Sequence, residues 1–205
     1  MAFTYFFRDE QTLDAIRDTA IKALQGSGHI DIWDAGCAMG PEPYTLAIIV
    51  REQVGRFLFR NVRIFASDID ESKHFGTVIA DAIYSDEETK RIPEQVLKSH
   101  FEPVEGKRFR LVEEIRRTVT FRQHDLLSLE PFRTGFGLVV CKNVLLHFTA
   151  EQRCEVIRMF HGVLSAGGFL AMEQTQKLPQ EVSHLFTRAS PMAQLYQKVP
   201  SSAAG

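Results

Sequence analysis

The sequence predicts an α/β fold in which a mostly parallel sheet is flanked by helices. Three stretches of the chain support this prediction. Residues 30–47 have the pattern of a strand, a glycine-bearing turn and a helix. Residues 62–67 form a second apolar, strand-like run, and residues 136–141 form a third that is continuously apolar. A strand, a helix and a strand in succession indicate a parallel βαβ unit, and the length suits a single domain spanning residues 1–205.

The first two helices are predicted from apolar residues that recur every three or four positions. In the first helix these residues are Leu13, Ile16, Ala20 and Leu24. In the second helix they are Leu46, Ala47, Val50 and Val54. Glycines end both helices, because Gly26 and Gly28 follow the first and Gly55 closes the second.

The middle third of the chain differs in character from the rest. Clusters of polar residues there alternate with short strand-like runs. Over residues 83–120 we predict a helical segment followed by a small antiparallel hairpin, which together form an insertion lying partly outside the main sheet. The two strands of this hairpin are residues 107–112 and residues 118–122.

The last third returns to the α/β pattern. Thr149 and Gln152 have the spacing of a capping box, which predicts the start of another helix. Residues 169–172 and residues 194–199 are strand-like and would complete the main sheet.

Composition excludes several classes of function. The net charge is −2 and the calculated isoelectric point is about 6.4, so we expect no nucleic-acid partner. The cysteines Cys37, Cys141 and Cys154 lack metal-ligand spacing, so we predict no metal site and no disulfide, and we expect a reducing compartment, the cytoplasm. No segment resembles a signal sequence or a membrane span, so we expect no direct membrane insertion. The sequence indicates no particular oligomeric state.

Charges around the glycine loop indicate the kind of ligand. A dinucleotide loop places a pyrophosphate at the positive end of the following helix. Here Asp34 precedes Gly36, Glu42 follows Gly40, and Pro43 stands where the dinucleotide motif has its third glycine. Two carboxylates repel a phosphate but can pair with a cation, which favours S-adenosylmethionine (SAM), a sulfonium joined to adenosine. The alternative is that Asp34 and Glu42 only favour the helix N-terminus electrostatically.

An acidic residue at the end of the second strand is expected to hold the ribose of such a ligand. A carboxylate suits this task because it can accept hydrogen bonds from both ribose hydroxyls. Asp68 and Asp70 are the two candidates, and we choose Asp68. The alternative is that either residue caps a helix that begins near Ser72.

Several segments together resemble the SAM-binding domain of the CheR-type chemotaxis-receptor methyltransferases. They follow the family's order and are residues 4–8, 35–47, 66–70, 125–127, 141–148 and 164–168. The most specific are Gly-Cys-x-x-Gly-x-Glu-Pro-Tyr-x-Leu-Ala at residues 36–47 and Phe-Phe-Arg at residues 6–8. The resemblance implies a Rossmann-like class I SAM-dependent methyltransferase fold. It also implies methylation of glutamate side chains on bacterial chemoreceptors.

The loop charges and the resemblance together predict the residues that bind SAM or its product, S-adenosylhomocysteine. They are Thr4, Arg8, Asp34, Gly36, Gly40, Glu42, Asp68, Asp125, Leu126, Lys142 and Asn143. By the resemblance, Asp125 and Leu126 would flank the adenine. Lys142 and Asn143 would lie beneath the reacting end of the cofactor.

Arg8 and His147 are the predicted catalytic residues. By the resemblance, Thr4 and Arg8 would approach the methionine end of SAM, and the planar fork of Arg8 could clamp a carboxylate of the substrate or of the cofactor. For His147 a purely structural role stays open as an alternative. The implied partner is a protein substrate, the cytoplasmic domain of a chemoreceptor, and residues 83–120 resemble the family's receptor-docking β-subdomain.

Four residues depart from the family's pattern around the proposed pocket. Pro41 replaces an acid, Lys142 replaces an arginine, His147 replaces a tyrosine and Asp125 replaces an asparagine. Asp34 stands where the family has a small residue and would restore a carboxylate nearby. The helical domain that precedes Phe-Phe-Arg in the family is expected to be missing, because the sequence begins there. Two alternatives stay open: a catalytically degenerate SAM-binding or regulatory module, and a methyltransferase with a different acceptor.

Overall fold

The computed structural model describes residues 4–200, whose strands form two sheets. In chain order the strands are β1 (Ile30–Ala35), β2 (Val62–Asp68), β3 (Ile83–Ser85), β4 (Phe101–Val104), β5 (Arg108–Leu111), β6 (Val119–Gln123), β7 (Phe136–Cys141), β8 (Leu164–Met172), β9 (Phe186–Arg188) and β10 (Leu195–Lys198). The main sheet has the order β6-β2-β1-β7-β8-β10-β9. Its first five strands in that order are parallel, and β10 is antiparallel to both of its neighbours. The predicted, mostly parallel α/β sheet is confirmed.

Helices alternate with these strands along the chain. They are α1 (Glu10–Ala15), α2 (Lys22–Leu24), α3 (Pro41–Phe59), α4 (Phe75–Asp81), α5 (Asp86–Thr89), α6 (Glu94–His100), α7 (Glu113–Arg116), α8 (Ala150–Val163) and α9 (Gln180–Ser183). A π-helical segment, Ile16–Ile21, joins α1 to α2, so the first predicted helix is confirmed as one helical stretch. Among residues 4–200, no helix is both long enough and apolar enough to cross a membrane.

Strand β1 lies near the centre of the main sheet, and all of its residues are buried. Side chains alternate across a strand, so Ile32 and Trp33 enter two different hydrophobic cores. Helix α3 contributes to the first core and α8 to the second. The Trp33 indole N–H donates to Ser67 Oγ at 2.8 Å, and its ring packs edge-on against Phe160 of α8. The buried indole thus has its polar group satisfied.

Helix α3 breaks at Gly55 but does not end there. The φ of 74° and ψ of 167° at Gly55 are non-helical, and one further turn follows to Phe59. Glycine tolerates this positive φ because it has no Cβ. The prediction found the break in the helix but placed its end too early.

The predicted hairpin between residues 107–112 and residues 118–122 is wrong. Strand β5 pairs antiparallel with β3 and β4 in a separate small sheet, whereas β6 pairs parallel with β2 at the edge of the main sheet. The one-turn helix α7 lies between β5 and β6 and sends the chain from one sheet to the other. A small antiparallel sheet outside the main sheet does exist, but residues 83–85 and residues 101–104 supply the partners of β5.

Predictions for the last third of the chain are confirmed. The Gln152 N–H donates to Thr149 Oγ1 at 3.3 Å, and the Thr149 N–H donates to Gln152 Oε1 at 3.0 Å, which completes the capping box at the start of α8. Strand β8 contains the predicted run 169–172, β10 lies within the predicted run 194–199, and the two strands pair with each other in the main sheet.

Candidate functional site

A cavity of about 570 Å³ opens where β1, β2 and β7 end. Open α/β sheets bind their ligands at this carboxyl edge. The predicted site residues that line the cavity are Thr4, Arg8, Gly36, Glu42, Asp68, Asp125, Leu126, Lys142, Asn143 and His147. Asp34 and Gly40 are the two predicted site residues that do not line it.

The loop between β1 and α3 is held tightly against its neighbours. The Gly36 N–H donates to the Ser67 carbonyl at 2.7 Å, and the Ala38 N–H donates to Asp68 Oδ2 at 3.0 Å. Gly36 has a φ of +100°, and a Cβ there would lie 2.1 Å from Val144 Cγ2. Both the backbone conformation and the lack of space therefore require glycine at this position.

Gly40, a predicted cofactor-binding residue, does not line the cavity and shapes the loop beside it. It is the N-cap of α3 with a φ of +102°, and a Cβ there would lie 2.6 Å from the Tyr84 hydroxyl oxygen. The Tyr84 hydroxyl donates to the Met39 carbonyl at 3.1 Å. The neighbouring Tyr44 is buried and donates to the Ile79 carbonyl. Tyr84 thus holds the loop through Met39, and Tyr44 ties α3 to α4.

Asp68 and Asp70 have different partners. Asp68 ends β2 and lines the cavity, where its Oδ2 accepts from Ala38 N–H and its Oδ1 from Asp70 N–H at 3.3 Å. Each carboxylate oxygen has two lone pairs, so Asp68 retains acceptor capacity for a ligand. Asp70 accepts from the Ser72 hydroxyl at 2.8 Å and from the His74 N–H at 3.0 Å, at the start of α4. The helix-capping alternative thus applies to Asp70.

A buried ion pair lies in the wall of the cavity. Lys142 Nζ is 3.0 Å from Glu42 Oε2 and donates to the Arg8 carbonyl at 3.2 Å. Burial lowers the pKa of Lys142, but the Glu42 carboxylate outweighs it and the net pKa is raised. Lys142 therefore stays charged and ties the N-terminal segment to the loop after β1.

Asp34, a predicted cofactor-binding residue, is fully buried beside this ion pair and does not line the cavity. Within residues 4–200, no group donates a hydrogen bond to either of its carboxyl oxygens. Burial, and then the nearby Glu42 carboxylate, raise the pKa of Asp34 well above its ordinary value. A protonated Asp34 carboxyl can donate a hydrogen bond to Glu42. Asp34 would then stabilise the Glu42–Lys142 ion pair from the side away from the cavity.

Glu173 is a site residue that sequence reasoning missed. It directly follows β8, is buried, and its Oε2 accepts from the Asn143 N–H at 3.1 Å. Asn143 lines the cavity with a left-handed φ of 61°, so this hydrogen bond holds an unusual backbone conformation. Burial raises the pKa of Glu173. The available signal was an acid at the end of an apolar strand, the same signal that identified Asp68.

Apolar side chains frame the cavity near Asp125. The Leu127 N–H donates to Asp125 Oδ1 at 2.9 Å, which caps a 3₁₀ turn, and Leu126 is buried beneath. Three large apolar residues, Ile69, Leu127 and Leu146, line the cavity although each is at least 40% exposed. The sequence analysis missed Ile69 and Leu146. Their positions could have indicated them, because Ile69 follows the predicted site residue Asp68 and Leu146 precedes the predicted site residue His147.

His147 lies at the end of the 3₁₀ turn Leu145–His147 and lines the cavity with an exposed side chain. In the part of the chain that the structure describes, no hydrogen bond holds its ring. The structural alternative, a histidine fixed by buried partners, does not fit this position. Arg8 lies at the same cavity, with its guanidinium carbon 5.9 Å from the Tyr5 ring centroid.

Comparison with known proteins identifies the family. Residues 2–193 match the model of the CheR methyltransferase, SAM binding domain. The chain belongs to this family. The family assignment makes SAM the cofactor of this domain and confirms the resemblance carried by the glycine loop and the Phe-Phe-Arg motif.

Two relatives illustrate the extent of the similarity. The "Chemotaxis protein methyltransferase" of Listeria innocua is 32% identical over 175 residues, which cover 84% of this chain and 64% of that protein. The "Probable chemotaxis protein methyltransferase" of Rhizobium etli is 28% identical over 191 residues, covering 90% of this chain and 70% of that protein. The chain thus spans about two thirds of the length of these CheR-family relatives.

A solved structure supports the fold. The crystal structure of N-methyltransferase NodS from Bradyrhizobium japonicum, in complex with S-adenosylhomocysteine, aligns with a TM-score of 0.52. The alignment covers 96% of this chain and 89% of that chain at 14% identity. At this identity the likeness concerns the fold alone, and it confirms the methyltransferase-type α/β architecture.

The residues of the cavity fit SAM. Its volume lies within the range of about 300–1,000 Å³ that is usual for small-molecule sites. Asp68 retains lone pairs for ribose hydroxyls, and the apolar frame around Leu126 suits a flat base. Arg8 and Glu42 supply charges of both signs for the amino-acid end of the molecule.

Proposed function

We propose that this CheR-family chain is a SAM-dependent methyltransferase that methylates glutamate carboxylates of chemotaxis receptors. The observation that carries the proposal is Asp68, an acid with spare lone pairs at the end of β2, facing a ligand-sized cavity beside a strained glycine loop. Membership of the family and the names of the Listeria and Rhizobium relatives support the chemotaxis assignment.

The proposed chemistry requires little acid–base catalysis. When bound, SAM supplies a methyl group on a positively charged sulfur. A glutamate side chain has a reference pKa of about 4.3 and is already an anion near neutral pH, so no general base has to remove a proton. The protein has to align the two reactants and exclude water, and such positioning accounts for several powers of ten in rate.

Each lining residue has a proposed task in this alignment. Asp68 accepts hydrogen bonds from the ribose, and Asp125 and Leu126 hold the adenine. Arg8 orients a carboxylate through its planar guanidinium. Lys142 keeps the Arg8 backbone in place through the hydrogen bond to the Arg8 carbonyl.

Binding of S-adenosylhomocysteine to Asp68→Asn tests the cofactor site. The asparagine oxygen can still accept from Ala38, but the charged acceptor for the ribose is lost. Hydrogen bonds to charged groups contribute about 1.5–3 kcal/mol. We therefore expect calorimetric titration to show that Asp68→Asn binds S-adenosylhomocysteine at least about tenfold more weakly than the wild-type chain does. Asp81→Asn at an exposed position on α4 is the matched control and should bind normally. Equal affinity in both variants would contradict the ribose assignment.

The acceptor is tested separately, with radiolabelled methyl SAM and the cytoplasmic domain of a chemoreceptor. A methyl ester of glutamate releases methanol in alkali, whereas N-methyl products do not. Alkali-labile label on the receptor is the expected result. Cofactor binding without any labelled receptor would favour the degenerate-module alternative. Alkali-stable label would indicate a different acceptor.

A further inference from the structure

The edge of the main sheet opposite the cofactor cavity carries a concentration of arginines. At the amino ends of β1, β2 and β6, two adjoining clefts of about 390 Å³ and about 190 Å³ share Arg60 and Arg63 as lining residues. Arg133 lines the larger cleft and Arg117 the smaller one. We name these four residues the arginine edge. The whole chain has a net charge of −2, so this edge is a local excess of positive charge.

Both carboxylates that line the clefts form ion pairs, although Asp31 Oδ1 accepts no hydrogen bond within residues 4–200. Asp31 is buried at the base of the larger cleft and forms an ion pair with Arg133. Glu114, in the smaller cleft, pairs with Arg51 at 3.2 Å and with Arg56 at 3.6 Å. These two acids therefore do not neutralise the remaining arginines of the edge.

Three arginines of the edge have no carboxylate partner. In the described part of the chain, Arg60, Arg63 and Arg117 form no ion pair, and all three are exposed. His29, also exposed in the larger cleft, is 3.9 Å from Asp31. Unpaired guanidiniums that line adjoining clefts present several strong donors to one ligand.

Arg133 is fixed in place and keeps a donor unused. Its guanidinium carbon lies 4.9 Å from the Phe65 ring centroid, and Nη2 of the same guanidinium forms the ion pair with Asp31. Its Nε is buried and donates to no acceptor among residues 4–200. A buried donor without an acceptor costs free energy.

Arg63 is the residue of the arginine edge that lies on a strand of the main sheet. It lies on β2 directly beside Asp31 on β1, and the Ile30 N–H donates to the Asn61 carbonyl at 3.0 Å. The sheet ladder thus sets the position from which the Arg63 side chain extends.

We propose that the arginine edge binds a small ligand that carries two or more linked phosphate groups. A guanidinium matches phosphate oxygens with two parallel hydrogen bonds, and several guanidiniums around adjoining clefts suit linked phosphates better than one monoanion. The site is separate from the cofactor cavity, because the five steps of about 3.3 Å between the first and last residues of β1 place its two ends about 17 Å apart.

Calorimetric titration of the whole chain with tripolyphosphate and with ATP tests this proposal. Tripolyphosphate supplies linked phosphates alone, and ATP shows whether a nucleoside adds affinity. At about 0.1 M salt, where surface charges are screened beyond about 10 Å, we expect micromolar binding of both probes. Arg63→Gln and Arg117→Gln should each weaken binding about tenfold. Arg158→Gln on the exposed face of α8 removes the same charge outside the clefts and should leave affinity unchanged.

Several results would overturn the proposal. No detectable binding of tripolyphosphate is one, and equal weakening by Arg63→Gln and Arg158→Gln is another, because it would indicate diffuse attraction. Orthophosphate binding as tightly as tripolyphosphate, or affinity only for an oligonucleotide, would contradict the ligand class. S-adenosylhomocysteine binding should be unchanged in Arg63→Gln, and its loss would contradict the separation of the two sites.

Discussion

Replacing Asp34 with asparagine removes a carboxyl from beneath the cofactor cavity while keeping its size. In the wild-type chain, burial and the Glu42 carboxylate raise the pKa of Asp34 well above the reference value of about 3.9. The folded chain therefore holds a proton at Asp34 at pH values where the unfolded chain has released it. The stability that this group contributes is complete below about pH 3.9 and is lost as the pH rises toward the folded-state pKa. The asparagine side chain of the variant does not titrate, and its amide can donate to Glu42 in place of the carboxyl proton.

The magnitude follows from one proton. Each pH unit over which only the folded state holds it lowers the free energy of unfolding by about 1.4 kcal/mol. The stability of Asp34→Asn relative to wild type should therefore rise with this slope above about pH 3.9, until the pH reaches the folded-state pKa of Asp34. Asp34→Ala does not titrate either, so its stability relative to wild type should rise with pH in the same way, but it should be less stable than Asp34→Asn at every pH because it leaves a cavity and removes the donor to Glu42.

Urea unfolding at several pH values measures the effect, and the quantity to compare is the difference between variant and wild type. Asp81→Asn, at an exposed position, is the control and should track wild type at every pH. Parallel pH profiles for wild type and Asp34→Asn would refute the reasoning. So would a stability advantage for the variant that shrinks as the pH rises.

Three further predictions concern the loops that form the cavity. Gly36→Ala places a Cβ 2.1 Å from Val144 Cγ2 at a position with a positive φ. The substitution should abolish cofactor binding in a calorimetric titration and lower the free energy of unfolding by at least about 2 kcal/mol. Normal cofactor binding would contradict this prediction. Glu173→Ala removes the acceptor for the Asn143 N–H and should weaken S-adenosylhomocysteine binding about tenfold. Glu173→Gln keeps an acceptor and should retain most of the affinity. Equal losses of affinity in the two variants would exclude the hydrogen bond as the cause. Thr149→Ala removes the cap of α8 and should cost about 1 kcal/mol in urea unfolding without affecting cofactor binding, while Thr149→Ser should cost little.

Local sequence patterns predicted the parts of the site that a single segment encodes. The glycine loop had to follow an apolar strand and precede a helix, and the requirement for Gly36 is visible in its positive φ. Asp68, at the end of the second strand, was chosen over Asp70, and the two residues do have different hydrogen-bond partners. Such predictions succeed because strand and helix periodicity constrain which residues share a face and where each element ends.

Partners that lie far apart in sequence escaped sequence reasoning. The strands β5 and β6 follow each other closely, and adjacency alone suggested a hairpin, yet they belong to different sheets. Pairing is decided by which apolar faces meet when the whole chain closes, and no local pattern reports that. The support of Asn143 by Glu173 has the same origin, because β7 and β8 become neighbours only in the folded sheet.

The sequence by itself determined the α/β class, the family and most residues of the cavity, because these depend on periodicity, turn chemistry and short motifs. Only the tertiary structure decided that Asp34 lies behind the cavity, beside a buried ion pair, and that four arginines from three segments meet at the opposite edge of the sheet. Burial and net local charge are properties of the assembled chain. They depend on what each residue packs against, which a linear pattern does not specify.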